Sequence, residues 1–173
     1  NNTTEQVNLT PSGEKSAYNT PYPALLSSDG NFAVFSSTAS DLVANDTNGT
    51  ADVFLRDLQA GTTIRLSVPL FGEANGASYV QSVSADSRFV VFASAATNLE
   101  SGQIFGSSGV HLLDRKTNLI SKITEADQAL PTKISADGRY IFSGQKVISR
   151  QTGESTTVNG NVGYGTYGLS MDS

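Results

Sequence analysis

The stretch "SSDGNFAVFSS" (Ser27 to Ser37) returns as "SADSRFVVFAS" (Ser84 to Ser94) and again as "SADGRYIFSG" (Ser135 to Gly144). Its anchoring acids Asp29, Asp86 and Asp137 are spaced 57 and 51 positions apart, and "LSMDS" (Leu169 to Ser173) opens a fourth copy. A period of tens of residues restricts a chain to arrays in which each unit buries its faces against the next. Every copy opens with a polar turn and enters a strand-like run. Phe32 and Phe35 in the first are matched by Phe89 and Phe92 in the second and by Tyr140 and Phe142 in the third.

Each copy then continues alike, with "DVFLRDLQAGTTIRLSV", "GVHLLDRKTNLISKIT" and "KVISRQTGESTTV". Inside these, "DLQAG", "DRKTN" and "RQTGE" carry the Gly or Asn that a two-strand turn requires. The first two copies align without a gap, so Asp57 falls on Asp114 and Arg65 on Lys122. No window has sustained helical periodicity. Short strands, frequent turn signals and a recurring unit predict an all-β chain of β-propeller blades, about three of them and four-stranded. A β-sandwich would explain the strands but not the recurrence.

The predicted layout is a closing strand over 4–13, blades over 24–68, 80–124 and 131–158, and the start of another blade over 162–173. The first of these rests on the likeness of "TEQVNLTPSG" to "TTIRLSVPLFG". Three blades do not close a ring, and open edges invite pairing. The expectation is therefore a segment of a larger ring of six to eight blades. The remaining blades would come from another chain or segment, or from self-association.

The signature S-x-D-[GS]-x-[FY], followed by "DVFLRDLQAGTTIRLS", resembles the TolB-like propeller repeat over nearly the whole chain from Thr4. The resemblance implies that Asp29, Asp86 and Asp137 cap tight turns between the first two strands of each blade. It implies nothing specific about activity, because propellers carry unrelated functions. Among the roles such repeats serve are periplasmic protein docking, surface adhesion and the accessory propeller of an enzyme.

Composition narrows the function classes. A net charge of -5 argues against a nucleic-acid footprint, which needs clustered Lys and Arg. The longest apolar run, "FVVFASAA", is too short to span a bilayer. With no cysteine, disulfides and thiolate metal sites are excluded. The Ser/Thr/Asn-rich, acidic, cysteine-free composition looks like that of exported bacterial propellers, biofilm-matrix and surface adhesins among them. The primary expectation is thus a secreted, extracellular, non-enzymatic module that contacts polysaccharide or protein; the alternative is a periplasmic docking propeller.

Candidate chemistry concentrates in "VANDTNGTADVFLRD" (Val43 to Asp57). Calcium takes several oxygen ligands from closely spaced Asp and Asn, with Gly allowing the sharp turn. Asp46, Asn48 and Asp52 around Gly49 have such a spacing, with Asp41 as a further ligand. Ala44, however, stands where the longer calcium pattern has its first acid, and the equivalent positions of the second copy are Gln103, Phe105 and Gly109. The competing reading is an Asx-type turn in which Asp46 and Asn48 satisfy backbone N–H groups and Gly49 takes positive φ.

His111 matches Phe54 and reads as a strand residue, and no G-x-S-x-G elbow exists. An Asp-box glycosidase is not expected either, since its Trp is missing. Three loops that precede first strands carry aromatic residues suited to ligand or partner contact. They are Ser12–Ala24 with Tyr18 and Tyr22, Pro69–Tyr79 with Phe71 and Tyr79, and Asn159–Gly168 with Tyr164 and Tyr167. In a propeller they would gather on one face near the central channel.

Overall fold

The computed structural model describes residues 4, 6–17, 22–100, 108–125 and 131–158. Twelve strands form three four-stranded antiparallel sheets. The first holds β1 (Leu25–Leu26), β2 (Phe32–Ser37), β3 (Asp52–Asp57) and β4 (Thr62–Arg65). β5 (Ser78–Val83), β6 (Phe89–Ser94), β7 (Gly109–Asp114) and β8 (Leu119–Glu125) make the second. The third consists of β9 (Thr132–Ile134), β10 (Tyr140–Ser143), β11 (Lys146–Ser149) and β12 (Ser155–Thr157). Within each sheet the strands follow chain order, and no helix occurs among the described residues. The chain therefore has the all-β blade architecture that its repeat predicts.

Burial explains the strand sequences. β2 and β6 read as nearly continuous apolar runs because both of their faces are covered by neighbouring layers. The outer strand β4 alternates exposed and half-buried residues. Val34, Val53 and Leu55 of the first sheet meet Val90, Phe92, Leu113 and Ile120 of the second, with Leu66 and Ala74 from the connecting segment. Phe89, Val91, Val110 and Leu112 meet Ile134 and Ile141 of the third. Each such side chain taken from water stabilises by about 1.5–3 kcal/mol, so these two layers hold the stack together.

One strand match needs correction. Ile141 pairs with Ile148 and faces the second sheet, whereas its neighbour Phe142 pairs with Val147 and takes the opposite face. Phe142 is therefore not the counterpart of Phe35 and Phe92. The structural counterpart of Val90 is Ile141, and the shortness of β10 misled the pattern match.

The turn signature is built alike three times. Asp29 accepts from Ser27 Oγ and the Asn31 N–H, and Ser27 Oγ accepts from the Phe32 N–H. Asp86 with Ser84, Arg88 and Phe89 repeats this, as does Asp137 with Ser135, Arg139 and Tyr140. Gly30, Ser87 and Gly138 sit at φ of 71°, 55° and 72°. These hydrogen bonds to the carboxylates lower the pKa of all three acids, the serine hydroxyl contributing most. They are turn acids, as the repeat resemblance implies.

Candidate functional site

The strand directions sort the connections into two faces. The signature turns and the hairpins 57–61, 114–118 and 150–153 lie at one end of the sheets. At the other end lie the β2–β3 and β6–β7 loops and the segments that pass from one sheet to the next. This second end, the loop face, carries those of the singled-out residues that are described: Asp41, Asp46, Asn48, Asp52, Tyr22, Phe71 and Tyr79.

Asp46, Asn48 and Asp52 do come together there, and a guanidinium stands among them. Arg65, at the end of β4, places Nη1 2.9 Å from Asp46 and 3.3 Å from Asp52, and Nη2 2.8 Å from Glu73. Asp52 is fully buried and also accepts from Ser67 Oγ and, at 2.8 Å, from Asn48 Nδ2. Glu73 accepts from the Thr47 N–H and hydroxyl, which ties the β2–β3 loop to the segment leading into the second sheet. Those bonds from Thr47, with Arg65 beside them, lower the Glu73 pKa to about 2. Burial raises the Asp46 pKa despite Arg65, and the neighbouring Asp52 and Glu73 push the same way. Gly49 takes φ of 66°, and Asn48 Oδ1 accepts from the Thr50 N–H, as an Asx turn requires. No group of three His, Cys, Asp or Glu placed to hold a metal ion occurs among the described residues.

Asp41 is engaged elsewhere. It accepts from Ser16 Oγ at 2.6 Å and from the Ala17 N–H at 3.1 Å, pinning the turn of residues 9–16 to the first sheet. Its sister Asn98 does the same to the next connecting segment, accepting from the Asn75 N–H and donating to the Glu73 carbonyl.

The aromatic residues divide. Tyr22 and Tyr79 meet edge to face at 5.1 Å, Tyr79 being the second residue of β5 rather than part of the loop before it. The first strands of adjacent sheets approach each other, so this pair lies at the inner edge of the stack. Phe71 and its neighbour Leu70 stand out at the tip of the connecting turn, 84% and 67% exposed. Tyr18, Tyr164 and Tyr167 lie outside the described residues, as do positions 162–173, where the sequence leads one to expect the start of another blade. His111 is buried, stacked on Phe92 at 5.7 Å as Phe54 is on Phe35 at 5.8 Å.

No protein-family model and no curated protein matches the sequence. Solved structures do. The chain superposes on a TolB protein from Agrobacterium tumefaciens with a TM-score of 0.51 at 18% identity, over 85% of this chain and 50% of that one. The fold is that of a TolB-type β-propeller. TolB from Acinetobacter baumannii is also similar (TM-score 0.49, 18% identity, 85% and 35% coverage). So is a prolyl endopeptidase (0.48, 16%, 78% and 21%). The chain thus spans about half the length of the first TolB protein it resembles.

Two features of this TolB-type propeller were not anticipated from the sequence. Arg65 is the cation of the acidic loop. The signal was present, because the second copy loses the acids (Gln103, Gly109) and carries Lys122 in place of the arginine. The other is a set of arginine latches on the turn face. Arg115, just after β7, lies over the Phe32 ring of the preceding sheet at 4.9 Å and donates to the Ser87 carbonyl. Arg150, just after β11, lies over Phe89 at 4.0 Å and donates to the Gly138 carbonyl. An arginine at the same point of two hairpin turns was the clue. No helix of the described residues is long and apolar enough to cross a membrane.

Proposed function

We propose that this TolB-type propeller is a non-enzymatic docking module of an exported bacterial protein, working in the periplasm, that binds a protein partner across its loop face. The observation that carries the reading is the exposed Leu70–Phe71 tip on a segment whose base is fixed by Glu73, Arg65 and Thr47. Large apolar side chains presented on a rigid base suit protein recognition, because little conformational entropy is lost on binding. The Tyr22–Tyr79 pair offers a second flat contact with polar tips. Further blades, supplied by another segment or chain, would complete the unit.

Site-directed photocrosslinking in the exporting bacterium tests this. A crosslinking side chain at position 71 or 79 is expected to trap one protein partner, and one at position 116 on the turn face is not. Equal trapping from both faces, or none from either, rejects loop-face docking. Binding of the purified chain to a glycan array, lost on Phe71→Ala, would return the ligand to the polysaccharide class and the setting to the cell exterior.

A further inference from the structure

The β2–β3 loop holds a reactive step beside the Arg65 cluster. Asn48 precedes Gly49 there, and Asn75 precedes Gly76 in the segment leading to the second sheet. A third such pair, at 159–160, lies outside the described residues. In an Asn-Gly step the glycine nitrogen can attack the side-chain carbonyl of the asparagine, since no Cβ shields that nitrogen. Whether it does so in a folded chain depends on how the two groups are held.

The two steps are held in opposite ways. Asn48 Oδ1 accepts the Thr50 N–H at 3.0 Å, which folds the side chain forward onto its own following backbone. Gly49 is exposed at φ of 66°, and a Cβ on it would meet nothing within 4 Å. Among the described residues no acceptor takes its N–H. The Gly49 peptide thus has room for the rotation that closes a five-membered ring. Asn75 is turned away instead. Its Oδ1 accepts the Thr97 N–H at 2.8 Å, and its Nδ2 donates to Thr97 Oγ1 at 2.9 Å, across in the β6–β7 loop. A Cβ on Gly76 would lie 2.7 Å from the Ala95 and Ala96 backbone, so that peptide is wedged in place.

We infer that Asn48–Gly49 is a self-modification site, at which deamidation undoes bonds that tie the β2–β3 loop to the connecting segment. The Gly49 nitrogen forms a bond to Cγ of Asn48 and the Cγ–Nδ2 bond breaks. Nδ2 leaves as ammonia, carrying the proton from Gly49. Water then opens the cyclic imide to aspartate or isoaspartate, so the net change is water taken up and ammonia lost. The departing amide is a structural donor. Asn48 Nδ2 donates to Asp52 Oδ2 at 2.8 Å and to the Ala74 carbonyl at 3.2 Å. A carboxylate in its place donates nothing. It also sets a further negative charge against the buried Asp52, where Asp46 and Glu73 already share Arg65. The base of the Leu70–Phe71 segment is thereby loosened, whatever that segment binds.

Ageing the purified chain in mild alkali and mapping it by peptide mass spectrometry tests the inference. In the folded chain position 48 is expected to convert about tenfold or more faster than position 75. In denaturant, where both asparagines are free, the two rates are expected to converge. Equal rates in the folded chain, faster conversion at 75, or no conversion at 48 overturns the inference. Hydrogen exchange reads the consequence. The Thr47 N–H, bonded to Glu73, is expected to exchange about tenfold faster in the aged chain than in the fresh one. Asn48→Asp should reproduce that rise. Asn48→Ser, which keeps an acceptor for the Thr50 N–H but cannot deamidate, should hold its exchange rate on ageing. Should the Asn48→Asp chain not fold, the aged natural chain carries the same reading. Unchanged Thr47 exchange after conversion at 48 overturns the loosening.

Discussion

The first and second sheets share backbone, register and turn chemistry, yet the loop ends of their third strands are held by different means. In the first, the fully buried Asp52 opens β3, and Arg65 reaches it across the strand pair together with Asp46 and Glu73. In the second, Gly109 opens β7, and the space a side chain would fill is taken by the stem of Lys122, whose Cε would lie 2.7 Å from an added Cβ. An ionic plug and an aliphatic stem thus occupy the same place in the repeat. The lesson is that acid and cation change together: an acid lost on one strand comes with a shorter-reaching cation on the next.

Breaking the ionic plug should have the largest effect. Arg65→Met leaves Asp46 and Asp52 without their counter-ion in a buried setting, and is expected to cost about 3–5 kcal/mol in denaturant unfolding. Lys122→Met should cost far less, since the stem's packing is largely kept. Calcium sharpens the comparison. Asp46, Asp52 and Glu73 are not grouped to hold a metal ion as they stand, but once released from the guanidinium they would repel one another unless a divalent cation drew them together. Calcium is therefore expected to raise the Tm of the Arg65→Met chain more than that of the parent. An equal rise in both would place the ion beside the guanidinium rather than in its stead, as the loop's spacing of acids suggests.

The aliphatic plug breaks differently. Gly109→Ala puts a methyl group against Lys122 and against the Thr124 carbonyl, 2.6 Å from the added carbon. Overpacking of this kind costs about 1–3 kcal/mol. Adding Lys122→Ala should restore part of the stability by freeing space, but not all of it, because the carbonyl stays. Full restoration in the double variant, read by thermal melting, would show that the lysine stem alone sets the fit.

How much of this was legible follows from where each signal sits. Residues that repeat in sequence, Asp29, Asp86 and Asp137 with their serines, act through bonds two to five residues away, so the linear pattern contained them. Hairpin turns were equally plain, since Gly61, Asn118 and Gly153 all take the positive φ that their types favour. Arg65 meets Asp46 and Glu73 only once β3 and β4 pair and the next connecting segment returns. The local motif Asp46–Asn48–Asp52 could therefore be spotted, but not the cation at its centre. Phe71 was found for its apolar character in a polar loop, whereas Tyr79 was read as loop because its strand begins only one residue earlier.

The turn face offers a smaller contrast between the same two sheets. Gly30 and Ser87 hold the same position, and Ser87 does so at φ of 55° with its buried Oγ lacking a hydrogen-bond partner. Ser87→Gly removes both penalties while giving up some rigidity of the unfolded chain, for an expected net gain of about 0.5–1 kcal/mol. The Arg115 bond to the Ser87 carbonyl is untouched by the change. A Tm below that of the parent would mean that the serine contributes packing that the missing hydrogen bond conceals.

The subtlest difference, His111 in place of Phe54, reads out in pH rather than in contacts. The imidazole stacks on Phe92, with Nδ1 3.1 Å from the Gly109 carbonyl and Nε2 3.9 Å from Glu100. Burial lowers its pKa below the ordinary 6.5; Glu100 and the Gly109 carbonyl oppose that shift, and Lys122 adds to it. Because the folded pKa lies below the unfolded one, the unfolded chain takes up the proton first as pH falls. The histidine therefore costs no stability well above pH 6.5, and stability drains as pH drops from there towards the lowered value. His111→Phe restores the ring pair of the first sheet and removes this titration. The variant's Tm is expected to fall less than the parent's between pH 7 and pH 5, while both lose stability together further down as Glu73 protonates. Parallel Tm profiles between pH 7 and pH 5 would mean that Glu100 holds the imidazolium well enough to cancel its burial, making the two sheets equivalent at this site as well.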